Sequence, residues 1–301
     1  MIANNNSNRT EKHSRLYLAI GLLLMLSELW KQYTLTFVLN DGAYQWSYIP
    51  FQLCSLPMYL CLFIGITGRV SAVCREKQNS KTEALCAAGT GMCGLIRTTK
   101  LRETRTMTVN SGCSNIQISN AGQRIIAIRR ACMVFLADYS LMSGIVTFLD
   151  TSGLHYGYAP LTVHSYLWHI AIAGIGVYSG LLLSAGEKHS MSGPDIKSHE
   201  ASNSSRSDRL TLHDFRHATY IFAGCCVIAE IINLSFDQYG IVNMFYINPH
   251  YYVSQIVFNE LAHVIPNNFV ILLYILCIIT AAFIVHLMWI KYCRAVNTRD
   301  M

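Results

Sequence analysis

Residues 268 to 290 read NFVILLYILCIITAAFIVHLMWI, and Lys291 follows. These 23 residues include no Asp, Glu, Lys or Arg. Wound as a helix they reach roughly 34 Å, enough to cross the ~30 Å hydrocarbon core of a bilayer. Working outward from this stretch, five more apolar runs lie near 16–38, 47–68, 131–149, 160–184 and 216–236. The basic residues sort around them. Of 23 lysines and arginines, 22 fall in segments 9–15, 69–130, 188–216 and 291–299, and Lys31 lies within a run. The gaps 39–46, 150–159 and 237–266 hold none. Because Lys and Arg resist translocation, the basic segments read as cytoplasmic and the gaps without them as outside. The expectation is an all-α, polytopic membrane protein of the cell membrane. It would be a bundle of six transmembrane helices in a single transmembrane domain over 1–301, with N- and C-termini cytoplasmic.

Composition agrees with that class. The chain is 52% hydrophobic and 13% charged, with a mean hydropathy of +0.31, too apolar for an ordinary soluble domain. Its net charge of +6 is placed where an anionic inner leaflet would meet it, so the expected partner is membrane lipid and not nucleic acid. None of the eleven cysteines falls in an outside gap, so free thiols are expected rather than disulfides. The first run lacks a small-x-small cleavage pattern and reads as a retained helix. The basic stretch 70–124 reads as a disordered cytoplasmic insertion and 186–209 as a flexible inner loop. Segment 237–266 mixes Tyr239, Tyr246, Tyr251 and Phe258 with polar residues, which suits a short interfacial helix or a re-entrant piece.

Ionisable residues inside spans cost ~2.5 to 3.5 kcal/mol each at mid-helix, so each needs a partner or a purpose. Counting ~1.5 Å per residue from the outer boundaries places Asn233 ~5 Å, His164 ~6 Å, Glu230 ~9 Å, Cys54 ~10 Å, His169 ~13 Å and Glu28 ~15 Å below that surface. A polar pocket in the outer half follows. Glu28 and Lys31, three apart, share a helical face and read either as an internal ion pair or as pocket lining. Glu230 and Asn233 share that spacing, and Gln52 joins them as a pocket residue. Asp138 with Tyr139 lies deeper and reads as fixing helix packing through hydrogen bonds.

The second run opens Trp46-Ser47-Tyr48-Ile49-Pro50-Phe51-Gln52-Leu53-Cys54-Ser55-Leu56-Pro57. Two prolines seven apart predict a bent helix with freed carbonyls facing protein or a wet cavity. Cys54 between them reads in two ways: as a packed small hydrophobe, or as a nucleophile whose proton is taken by an imidazole. His164 and His169 are five apart, about 140° around a helix, so one faces the pocket and the other serves elsewhere. A haem would need His217 and His286, which lie at a different depth, so no cofactor is expected. The sequence holds no Gly-x-Ser-x-Gly and no His-Glu-x-x-His, and zinc would want three clustered ligands, so no metal is expected.

Pro50-Phe51-Gln52-Leu53-Cys54, Glu28-x-x-Lys31 and Val163-His164-Ser165-Tyr166-Leu167-Trp168-His169 together resemble the YwaF family of six-helix integral membrane proteins. The resemblance covers about 16–69 and 130–290. Many members carry Pro-Leu-His-Leu-Cys where this chain has Gln52. A eukaryotic relative of that family is regarded as a membrane Cys/His phospholipid acyltransferase, and the similar androgen-induced family hydrolyses fatty-acid esters. The resemblance therefore implies lipid-acyl chemistry, with Cys54 as acyl acceptor and His169 or His164 as general base. A carrier or binding protein for a small polar solute, lined by Glu28, Lys31, Glu230 and the histidines, remains an alternative, as does a non-catalytic membrane protein. Charged positions largely stop in the inner half, which favours a pocket over a passage.

Overall fold

The computed structural model describes residues 2–68, 120–191, 210–253 and 255–299, and the described chain is helical without strands. Helix α1 (Ile2–Tyr33) runs straight into a π-helical turn, Thr34–Val38. Helix α2 covers Leu56–Gly68. Helix α3 (Asn120–Phe135), a π-helical turn (Leu136–Ser140) and α4 (Leu141–Val146) form one rod. The other long helices are α5 (Ala159–Met191) and α6 (Leu212–Phe236); the short α7 (Ile256–Ala262) then precedes α8 (Asn267–Arg299).

Three of these segments, Ala159–Ala185, Leu212–Tyr239 and Asn267–Val296, are long and apolar enough to cross a membrane by length and composition. Their outward faces are apolar too. Val227 on α6 is 62% exposed and Phe269 on α8 is 65% exposed, which suits contact with lipid chains and would be costly against water.

The second apolar run departs from expectation. No helix begins at 47. Trp46–Tyr48 is a single 3-10 turn, and the chain turns again before α2 starts at Leu56. The prolines explain this. Pro50 cannot donate to a ladder, and Pro57 sits in the first turn of α2, where a missing N–H breaks no bond. The pair therefore marks a helix start rather than a bend within a helix. Two boundaries also move. Residues 186–191, expected in an inner loop, continue α5, and 120–124, expected in the insertion, begin α3. The rest of both segments lies outside the described residues.

The rod of α3, π turn and α4 is the centre of the packing. Phe135, Leu136, Ala137 and Tyr139 are at most 1% exposed. Tyr139 stacks on Phe135 and Phe222 at 4.8 and 5.0 Å between ring centroids, and its hydroxyl meets Thr219 Oγ1 at 2.9 Å. Close approach elsewhere depends on missing side chains. A Cβ on Gly65 of α2 would lie 2.7 Å from Leu18 Cα of α1, and one on Gly176 of α5 would lie 2.8 Å from Leu141 N. Small residues of this kind let helix backbones touch, which matters most where dispersion contact replaces the hydrophobic effect.

Candidate functional site

Cys54 occupies the turn closed by the Ser55 N–H to Gln52 carbonyl bond of 2.8 Å, two residues ahead of α2. A helix N-terminus presents positive partial charge to the residues ahead of it. The charges of Lys31 and Glu28 lie within electrostatic reach of the sulfur. The indole Nε1–H of Trp168 on α5 donates to the Cys54 carbonyl at 3.0 Å, fastening this turn to the residue beside His169. The thiol itself packs against the cluster of Leu24, Met58, Trp168 and Ile172.

Neither imidazole is hydrogen-bonded to the thiol. His169 is 7% exposed, and its Nδ1 lies 2.8 Å from the Ser165 carbonyl. A carbonyl only accepts, so Nδ1 carries the proton and Nε2 of the neutral ring keeps a lone pair, as a base requires. His164 turns to α1 instead. Its Nε2 meets Ser27 Oγ at 2.7 Å, and its ring lies between Trp30 and Trp168 at centroid distances of 5.4 and 5.7 Å. The two histidines thus diverge, as their spacing requires.

Glu28 is 3% exposed. Its Oε1 accepts from Lys31 Nζ and from Gln32 Nε2, each at 2.8 Å. Gln32 Nε2 also donates to the Tyr48 carbonyl at 2.6 Å, tying α1 to the turn ahead of Cys54. Glu28 Oε2 and Gln32 Oε1 are buried without a donor.

Gln52, Glu230 and Asn233 are put to a different use. Asn233 is fully buried; its Oδ1 accepts the Met244 N–H at 2.6 Å and its Nδ2 donates to the Met244 carbonyl at 3.2 Å. Glu230 Oε2 accepts from the same Nδ2 at 3.4 Å. Gln52 holds the next peptide, accepting the Phe245 N–H at 2.8 Å and donating to the Asn243 carbonyl at 3.2 Å. Two side-chain amides thereby grip a loop pressed into the bundle, where Val242 and Met244 are fully buried and Phe245 is 2% exposed. Phe245 and Tyr246 carry φ of 56° and 59°, a left-handed conformation that costs ~1–2 kcal/mol per side-chain-bearing residue. The amide bonds and the burial of Phe245 offset that strain.

Several residues around Cys54 escaped the sequence reading. Tyr156, Tyr246 and Tyr274 lie within electrostatic reach of the sulfur, and Gln32 bridges Glu28 to Tyr48. A tyrosine in a connecting loop resembles any interfacial aromatic, so only the Lys-free character of 150–159 hinted at Tyr156. In that loop, the Oγ and backbone N–H of Ser152 hold the Asp150 carboxyl below the usual carboxylate range. The largest surprise is the Asp138–His286 contact of 2.8 Å, with both side chains fully buried. Among the described residues no three His, Cys, Asp or Glu gather as metal ligands, and Cys54, Cys61, Cys132, Cys225, Cys226, Cys277 and Cys293 are free. No family model, curated protein or solved structure matches this chain.

Proposed function

We propose that this chain is a YwaF-like, multi-pass protein of the cell membrane, with six crossings and cytoplasmic termini, that acts on acyl esters of membrane lipids. Cys54 is the nucleophile and His169 the general base. The thiol loses its proton to His169 Nε2, and the thiolate sulfur attacks the ester carbonyl carbon. The lipid alkoxide leaves with the imidazolium proton, giving an S-acyl intermediate, and an alcohol or water then takes the acyl group and restores the thiol. His164, Glu28 and Lys31 line the surroundings, and no cofactor takes part.

The observation that carries this reading is the Trp168 bond to the Cys54 carbonyl. It anchors the turn bearing the thiol, at the head of a helix, to the residue preceding His169. Support also comes from the His169 bond to Ser165, which leaves the opposite ring nitrogen as the acceptor. The test is labelling in membranes with a tagged, lipid-like iodoacetamide. Wild-type protein should label at Cys54 faster than at the exposed Cys277, as read by mass spectrometry of the labelled peptides, and total labelling should fall in Cys54→Ala. Undiminished labelling of a folded Cys54→Ala protein removes the nucleophile.

A second reading, a binding protein or carrier for a small polar solute, is favoured by the donor-free acceptors Glu28 Oε2 and Gln32 Oε1. Comparative lipidomics separates the two. The enzyme reading requires acyl profiles that change with Cys54→Ala, whereas the carrier reading leaves lipids unaltered.

A further inference from the structure

The Asp138–His286 contact joins two elements far apart in sequence, the π-helical turn of the central rod and the middle of α8. His286 Nε2 lies 3.0 Å from the Thr211 carbonyl and Nδ1 lies 2.8 Å from Asp138 Oδ2. The carbonyl cannot donate, so Nε2 carries a proton. A second proton must then lie between Nδ1 and Oδ2, because two bare lone pairs would otherwise face each other at hydrogen-bond distance. Either Asp138 is a neutral acid donating to the ring, or His286 is an imidazolium donating to a carboxylate.

The surroundings separate the two forms. Asp138 Oδ1 is buried with no donor. A buried oxygen without a donor costs an ionised carboxylate more than it costs the carbonyl oxygen of a neutral acid, and Asp138 lacks the ammonium partner that offsets this cost for Glu28. The charged groups nearby act on both members of the pair and so do not separate the two forms. From α6, Asp214 lies within electrostatic reach of both Asp138 and His286. Arg130 of α3 is already forked onto Asp214, with Nε to Oδ1 at 2.6 Å and Nη2 to Oδ2 at 3.1 Å. On the turn itself, Tyr139 spends its hydroxyl on Thr219. Helix α5 meets the turn through the uncharged Gly176, and from α8 the Trp289 indole donates to the Ala137 carbonyl at 3.1 Å.

We propose that Asp138 and His286 form a proton-binding site, which holds one exchangeable proton on Asp138 Oδ2 in the resting state and whose emptying breaks one of the two hydrogen bonds that hold the His286 ring. Emptying transfers that proton to water and leaves one proton on a ring that faces two acceptors: kept on Nε2 it sets the Nδ1 lone pair against the carboxylate, and moved to Nδ1 it sets the Nε2 lone pair against the Thr211 carbonyl, so one of the two contacts opens. The π-helical turn is suited to this role, since such bulges are local departures from α-helical bonding that recur at working positions.

The test is spectroscopic and uses the full chain in membranes. Infrared difference spectra between wild type and Asp138→Asn should show, at neutral pH, a carboxylic-acid C=O band that shifts in D2O and is lost in the variant. Nitrogen-15 NMR of the wild-type chain, labelled at histidine, should find His286 protonated at Nε2 alone. A His286 ring protonated at both nitrogens, with Asp138 contributing only carboxylate bands, overturns the proposal. Should Asp138→Asn fail to assemble, the nitrogen spectrum of the unaltered chain decides by itself.

Discussion

Replacing Asn233 with alanine removes the grip of α6 on the loop that presses into the bundle, and the structure sets the size of the effect. The side chain accepts from the Met244 N–H and donates to the Met244 carbonyl, and Met244 is fully buried. In Asn233→Ala the Met244 N–H stays buried without a partner, at about 1–3 kcal/mol, while its carbonyl keeps the Ile247 N–H at 3.3 Å. The loop joins helices at the end of the bundle, so its open state is in water and the aqueous range applies. Taking about 2 kcal/mol for that N–H, the population of the open loop should rise roughly 30-fold at ~1.4 kcal/mol per tenfold change. Hydrogen–deuterium exchange of membrane-embedded protein reads this directly. Amides of 242–248 should lose about one and a half decades of protection, while the α3 to α4 rod keeps its own. Unchanged exchange in that segment would refute the claim that Asn233 holds the loop, and equal loss throughout the bundle would show that the loop is not a separate unit.

Two further outcomes test packing and topology. Gly65→Ala should destabilise by about 1–3 kcal/mol through overpacking, because its Cβ would meet Leu18 backbone at 2.7 Å; Gly224→Ala, with nothing within 4 Å, should be neutral or stabilising by up to ~1 kcal/mol. Equal melting temperatures of the two variants in detergent would contradict this. Gly153→Cys, on an open loop, should react with a membrane-impermeant maleimide added to intact cells, and Lys291→Cys should react only after permeabilisation. The opposite pattern reverses the proposed orientation.

The parts of the fold legible in the sequence are those fixed by local pattern. Runs 160–184, 216–236 and 268–290 became α5, α6 and α8 because their apolar residues are continuous enough to leave one solution. The run at 47 misled for a physical reason. Hydropathy counts Trp46, Ile49, Phe51 and Leu53 as spanning residues whatever the backbone does, and here they pack on the core from turns. The Glu28–Lys31 pair was equally readable, being an i, i+3 contact within one helix. The Gln52 contact with Phe245 spans 193 residues and the Asp138 contact with His286 spans 148. No periodicity reports such pairs. Gln52, Asn233 and Glu230 stood out in the sequence as pocket residues; in the fold Gln52 and Asn233 hold the chain's own backbone and Glu230 meets the Asn233 amide, contacts no local pattern reports.

The two acidic groups buried among the long helices therefore differ in kind. Glu28 brings Lys31 with it on α1, so the pair is neutral wherever that helix goes and constrains no neighbour. Asp138 has no basic residue within a turn along its rod, and its partner arrives on the last long helix. In the proposed six-crossing arrangement, a carboxylate alone on that rod costs ~2.5–3.5 kcal/mol and is relieved by taking up a proton. A rod entering with neutral Asp138 and an α8 entering with neutral His286 can then join without further proton exchange, acid donating to ring. The path of assembly leads to the same protonation state that the empty side of Asp138 Oδ1 requires, so the contact is a marker of correct helix pairing as well as a store for one proton.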